Sequence, residues 1–138
     1  MCSSVLLAED DPTVRAVTAC LLERTFHCRV ESFCDGARAL ARLQEGGDQV
    51  ELLILDVHMP YMGGFELLEA ARAMGVGAPA LIHSGDPTQR ITAEELGAKF
   101  LLKPWRAPDM IELLASFDLA RPCLTPAERA DAGASRSA

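Results

Sequence analysis

"LLILDVHMPYMGGFELL", residues 52–68, decides how the rest of the chain is read. Its opening residues, Leu52 to Leu55, are apolar without alternation, the pattern of a strand buried on both faces inside a parallel sheet. The run ends on a carboxylate, Asp56. Met59-Pro60 and Gly63-Gly64 then interrupt regular structure before a helical apolar period resumes at Phe65. Charge beside a core is costly unless something compensates it, so a site is expected at this strand end.

The same unit recurs outward in both directions. "SVLLAE" (4–9) reads as a buried strand that ends on acids, and Pro12 opens a helix with Val14, Val17, Leu21 and Leu22 along one face. "HCRVESF" (27–33) alternates like a strand, "DGARALARLQE" (35–45) is helical, and the following "GGD" stops it. The central strand is "QVELLILD" (49–56), followed by the helix "GFELLEAARAM" (64–74). "PALIHS" (79–84) and "KFLLK" (99–103) supply two more strands, followed by the helices "PTQRITAEELGA" (87–98) and "APDMIELLASFDLA" (107–120). Met110, Leu113, Leu114 and Phe117 mark one face of the last helix.

Five β-α units with short connections define an α/β fold with helices on both faces of a parallel sheet. Five are too few for an eight-fold barrel, so an open, doubly wound (βα)5 sheet is expected. The functional crevice of such a sheet lies at the carboxyl ends of its strands. Residues 1–120 form the domain. Residues 121–138, with little apolar content, read as a flexible tail that holds no output domain.

Composition narrows the function. With 138 residues, 49% of them hydrophobic and 24% charged, the chain matches an ordinary single soluble domain. No apolar run approaches the roughly 20 residues of a membrane span, and no export signal is visible, so a cytoplasmic protein is expected. Its five cysteines lack any CxxC pair, which points to reduced thiols; Cys20 and Cys28 are expected to pack inside. None of the three histidines has zinc-ligand spacing to a cysteine pair. A net charge of −7 without a Lys/Arg cluster argues against a nucleic-acid surface.

In chain order, the strand ends carry Glu9-Asp10-Asp11, Asp56, Ser84 and Lys103. Gathered in one crevice, the carboxylates repel one another, and a divalent cation relieves that repulsion. All-oxygen ligands with room for water suit Mg²⁺ better than zinc. A lysine beside the acids and a hydroxyl opposite leave space for a tetrahedral dianion. Such a cluster suits placing a phosphoryl group on one aspartate oxygen, already ionised and able to form a labile acyl phosphate. Asp11 is expected to cap the helix begun at Pro12.

These residues resemble the receiver domain of two-component response regulators, over about Val5 to Phe117. The likeness rests on the acidic run after the first strand, "LDVHMPYMGG" after the third, Ser84-Gly85 after the fourth and "KFLLKP" at the fifth. It implies a flavodoxin-like strand order of 2-1-3-4-5. It makes Asp56 the phospho-acceptor, with Mg²⁺ held by Asp10 directly, by Glu9 indirectly, by Asp56 and by the backbone carbonyl of His58. Ser84 would bond the phosphoryl oxygen, Gly85 would keep the entrance open, and Lys103, before a cis Pro104, would pair with the phosphate. Ser84 and Phe100 would be the switch residues. The stretch between Ser84 and Phe100 is shorter than usual for the family, so a fourth helix of fewer than three turns is expected.

The resemblance implies a stand-alone response regulator that is not an enzyme acting on other molecules. It would take its phosphoryl group from a sensor histidine kinase or phosphotransfer protein and change affinity for a downstream protein. Direct DNA binding is not expected, although "LTPAER" (124–129) resembles the start of a helix-turn-helix domain. The face made by the fourth helix, fifth strand and fifth helix is a candidate homodimer surface. Two alternatives compete: a receiver-like docking module that never takes phosphate, and an aspartate-nucleophile phosphohydrolase. The second normally needs an acid two residues after the nucleophile, where this chain has His58. Slow single labelling, no labelling and fast ester turnover separate the three readings.

Overall fold

The computed structural model describes residues 4–117. Five short strands form one parallel sheet: β1 (Ser4–Ala8), β2 (Arg29–Phe33), β3 (Leu52–Asp56), β4 (Ala80–Ser84) and β5 (Lys99–Leu102), in the order β2-β1-β3-β4-β5. All five residues of β3 and of β4 are buried, which explains why neither strand alternates. The helices α1 (Pro12–Thr25), α2 (Gly36–Gly46), α3 (Gly64–Ala73), α4 (Arg90–Glu95) and α5 (Ala107–Ala115) follow the strands one by one. This is the doubly wound architecture that the β-α alternation requires.

The two faces of the sheet are separated by strand parity. Leu6, Leu53, Leu55 and Ile82 point to one side, where Leu43 of α2 and Leu67, Leu68 and Ala71 of α3 cover them. Val5, Leu7, Leu52, Ile54 and Leu81 point to the other, against Leu22 of α1 and Met110 and Leu114 of α5. Ala93 of α4 completes the first layer.

Helix starts follow their local chemistry. Asp11 accepts hydrogen bonds from the backbone N–H groups of Thr13 (2.8 Å) and Val14 (3.2 Å), the cap expected of it. Asp35 caps α2 through Arg38 N–H at 2.8 Å. The fourth helix is as short as expected: a 3-10 turn over Pro87–Gln89 runs into the six residues of α4. Gly97, at φ +77°, ends the segment in the left-handed region that favours glycine.

Three expectations need correcting. The central strand begins at Leu52 rather than at residue 49, because a 3-10 turn occupies Gly47–Gln49 and only then does the chain extend. The last helix ends at Ala115. The Ser116 hydroxyl turns back to the Leu113 carbonyl at 2.6 Å, and residues 118–120 lie outside the described part. On α1, Leu22 and Thr18 face the sheet; Val17 is 52% exposed and Cys20 is on the surface, so of the two cysteines expected inside, Cys28 alone is buried. The expected tail, 121–138, with its "LTPAER", also falls outside the described residues.

Candidate functional site

Parallel register builds the site. Ala8 pairs with Leu55, so Glu9 follows β1 level with Asp56, and Asp56 pairs with His83. Glu9, Asp56 and His83 thus form one row across three strand ends, all buried. Asp10 is exposed beside them, and carboxylate oxygens of Glu9, Asp10 and Asp56 lie within 4.8 Å of one another. Lys103 reaches in from the end of β5, its Nζ 2.6 Å from Glu9 Oε1 and 3.1 Å from Asp56 Oδ1. Its backbone N–H donates to the Ser84 carbonyl at 2.8 Å, and the Lys103–Pro104 bond is cis.

The two glycines of "MPYMGG" explain the interruption after β3. A Cβ on Gly64 would lie 2.2 Å from the Asp56 carbonyl oxygen, and one on Gly63 2.6 Å from that of Val57. Gly64 N–H donates to the Val57 carbonyl at 3.1 Å. Only glycine lets the start of α3 lie directly against the strand end that bears Asp56.

The charges in this small volume are unequal. Burial, then the Asp56 carboxylate beside it, pushes Glu9 up from 4.5 to about 7, against the pull of Lys103. Burial and Asp56 also raise Asp10. Burial alone would raise Asp56 too, but its hydrogen bonding with Glu9 and the charge of Lys103 outweigh that and hold it below the usual carboxylate range. For Lys103, burial opposes the charge, and the contacts with Glu9 and Asp56 prevail and raise it. Asp56 is therefore held ionised, and Glu9 is the acid that most readily keeps a proton.

Ser84 ends β4 fully buried, and its hydroxyl donates to Gln89 Oε1 rather than to a member of the cluster. Phe100 sits in the core on the α2-α3-α4 side, with the Arg90 guanidinium 5.0 Å from its ring centroid. The side chain of His58 is exposed. Gly85 has open space where a Cβ would stand.

His83 is the participant that sequence reasoning missed. Its Nε2 is 3.4 Å from Glu9 Oε1, and Trp105 Nε1–H donates to its Nδ1 at 3.4 Å. Burial, then the charge of Lys103, pushes it down to about 3, so the ring is neutral. The indole bond occupies Nδ1, which leaves the proton on Nε2, buried beside Glu9 without a hydrogen-bond partner. The signal was present in the sequence: one polar residue inside the apolar run "PALIHS".

The residues fit a magnesium ion. Three carboxylates converge on one point, a single lysine answers them, and Glu9 is held so poorly as an anion that it retains a proton near neutrality. All the converging donors are oxygens, as a hard cation requires. Alongside, Val14 and Val17 of α1 face Pro104 and Trp105 across an apolar hollow of about 460 Å³.

A sheet ordered 2-1-3-4-5 with an acid row, a hydroxyl and a lysine at its carboxyl edge defines a class, and the comparisons agree with it. The model of the response regulator receiver domain matches residues 5–115, and the chain belongs to that family of two-component signalling domains. The two-component response regulator ORR21 of Oryza sativa subsp. indica is 34% identical over 111 residues, which are 77% of this chain and 16% of that protein. The transcriptional regulatory protein TcrA of Mycobacterium tuberculosis is 31% identical over 125 residues, 88% of this chain and 48% of TcrA. The chain thus spans less than half the length of these curated relatives. Among solved structures, the chemotaxis response regulator CheY4 of Vibrio cholerae superposes with a TM-score of 0.76 at 27% identity, over 85% of this chain and 99% of that one. No helix among the described residues is long and apolar enough to cross a membrane.

Proposed function

We propose that Asp56 accepts a phosphoryl group from a phosphohistidine of a sensor kinase or phosphotransfer protein, and that the charged form binds a downstream protein. One observation carries this reading. Asp56 is a buried carboxylate kept ionised, 3.1 Å from a lysine and within 4.8 Å of two further acids.

The Asp56 oxygen attacks phosphorus in line, the N–P bond of the donor breaks, and the imidazole leaves with the bonding electron pair. Lys103 neutralises oxygens of the transferred group, and Ser84 donates its hydroxyl to one of them. Glu9, Asp10, Asp56 and the His58 carbonyl are the oxygens that would hold Mg²⁺, which when bound supplies positive charge beside the phosphoryl group. Phe100, packed under Arg90, would repack as Ser84 changes partner. Attack of water on phosphorus then breaks the P–O bond to Asp56, the carboxylate leaves and inorganic phosphate is shed. The domain thus acts only upon itself and is no enzyme for other substrates.

In this reading the domain works in the cytoplasm and passes its signal to a protein partner rather than to DNA. Ile91 on α4 and Leu102 on β5 are 67% and 40% exposed, and they favour the α4-β5-α5 face for a downstream partner or a homodimer.

Incubation of the protein with a small phosphodonor and Mg²⁺ tests the reading. One phosphoryl group is expected on Asp56, absent in Asp56→Asn. Unchanged labelling of Asp56→Asn, or no labelling of the wild type, would overturn it.

A further inference from the structure

Gln89 takes no part in the chemistry above, yet it touches that chemistry at two edges. Its side-chain oxygen accepts the Ser84 hydroxyl proton, and its amide nitrogen lies 3.4 Å from His58 Nε2. A serine hydroxyl has one proton to give. Here that proton goes to Gln89, and the oxygen accepts Asp86 N–H at 3.1 Å. Ser84 is 1% exposed, so bulk water does not compete. In this arrangement Ser84 has nothing left to donate to an anion on Asp56.

Gln89 also occupies a particular place in the chain. It ends the 3-10 turn Pro87–Gln89 and immediately precedes α4. That turn is held from within, Asp86 accepting Thr88 N–H at 2.9 Å and the Thr88 hydroxyl at 2.6 Å. The Gln89 side chain is thus what ties the start of α4 to the end of β4 and to His58.

Resting on the reading of Asp56 as phosphoryl acceptor, we infer that Gln89 is a positioning residue that latches Ser84 in the resting protein, and that charging Asp56 opens the latch. An anionic phosphoryl oxygen is a stronger acceptor than a neutral amide, so it takes the Ser84 proton bond. Gln89 loses its partner, and the start of α4 and the His58 loop lose their shared tie together. No covalent bond changes; one hydrogen bond replaces another. The latch lowers apparent affinity for a phosphoryl group by the fraction of molecules in which Ser84 is free.

The test uses the full chain with Mg²⁺ and beryllium fluoride as the phosphoryl mimic. Gln89→Met keeps the length of the side chain and removes the amide acceptor. It is expected to bind the mimic about three- to ten-fold more tightly than wild type, the range set by one neutral hydrogen bond. Gln89→Ala should change affinity in the same direction. In a Ser84→Ala background the Gln89→Met change is expected to have no effect, a result that a purely structural role would not produce. Equal affinity of wild type and both Gln89 variants would overturn the latch, as would the same gain without Ser84. Failure of the wild type itself to bind the mimic, with Asp56→Asn as the reference, would instead overturn the reading of Asp56 and take the latch with it.

Discussion

Glu9 and His83 sit 3.4 Å apart, and burial shifts the two in opposite senses. His83 is held down from 6.5 to about 3, so the unfolded chain takes a proton that the folded one refuses, and stability falls as pH drops from 6.5 toward 3. Glu9 is held up from 4.5 to about 7, so the folded chain keeps a proton that the unfolded one releases, and stability rises as pH drops from 7 to 4.5. Between pH 4.5 and 6.5 the two slopes cancel, one proton against one. Free of divalent metal, the wild type is expected to show a flat melting temperature there and to lose stability only below about 4.5. Glu9→Gln removes one slope, and its melting temperature should fall from about pH 6.5 downward. Identical thermal-melt profiles for the two proteins would show that Glu9 does not offset His83 in this way.

Among the elements, α3 and α4 differ in how firmly they are held. Gly64 at the start of α3 has the Asp56 carbonyl in the space of a side chain, so Gly64→Ala must push backbone apart. A cost of about 1–3 kcal/mol is expected in urea denaturation, with weaker labelling of Asp56, since the displaced backbone is its own. Gly85→Ala, with nothing within 4 Å of the new carbon, should change stability by no more than about 0.5 kcal/mol. Neither helix has a side-chain cap, but α4 buries only Ala93 over its six residues, whereas α3 buries Gly64, Leu67, Leu68 and Ala71. The amides of α4 should exchange with solvent fastest of the five helices. Protection equal to that of α3 would refute this.

At the scale of the molecule, the topology could be read from the chain because apolar runs such as "LLIL" and "ALI" have one stable place, the middle of a covered parallel sheet. Asp56, Lys103 and the Glu9-Asp10 pair were legible for a related reason: each stands where such a run stops. His83 and Gln89 were not. His83 left only a polar residue inside an apolar run, its place beside Glu9 being set by register, and the contact of Gln89 with Ser84 spans a turn and leaves no periodic trace. Cys20 and Val17 were misplaced because the roll of α1 against the sheet is set by Leu22 and Thr18, a packing choice that helical spacing alone does not make.

The indole of Trp105 bonds the ring that faces Glu9, and the chain contains a single tryptophan. The native protein therefore carries its own optical probe, one hydrogen bond removed from the acids. Titrating magnesium should change the ultraviolet emission of the wild type along a saturating curve, and His83→Leu should flatten that response while the fold melts cooperatively as before. Occupancy of the crevice would then be visible in solution without any attached dye.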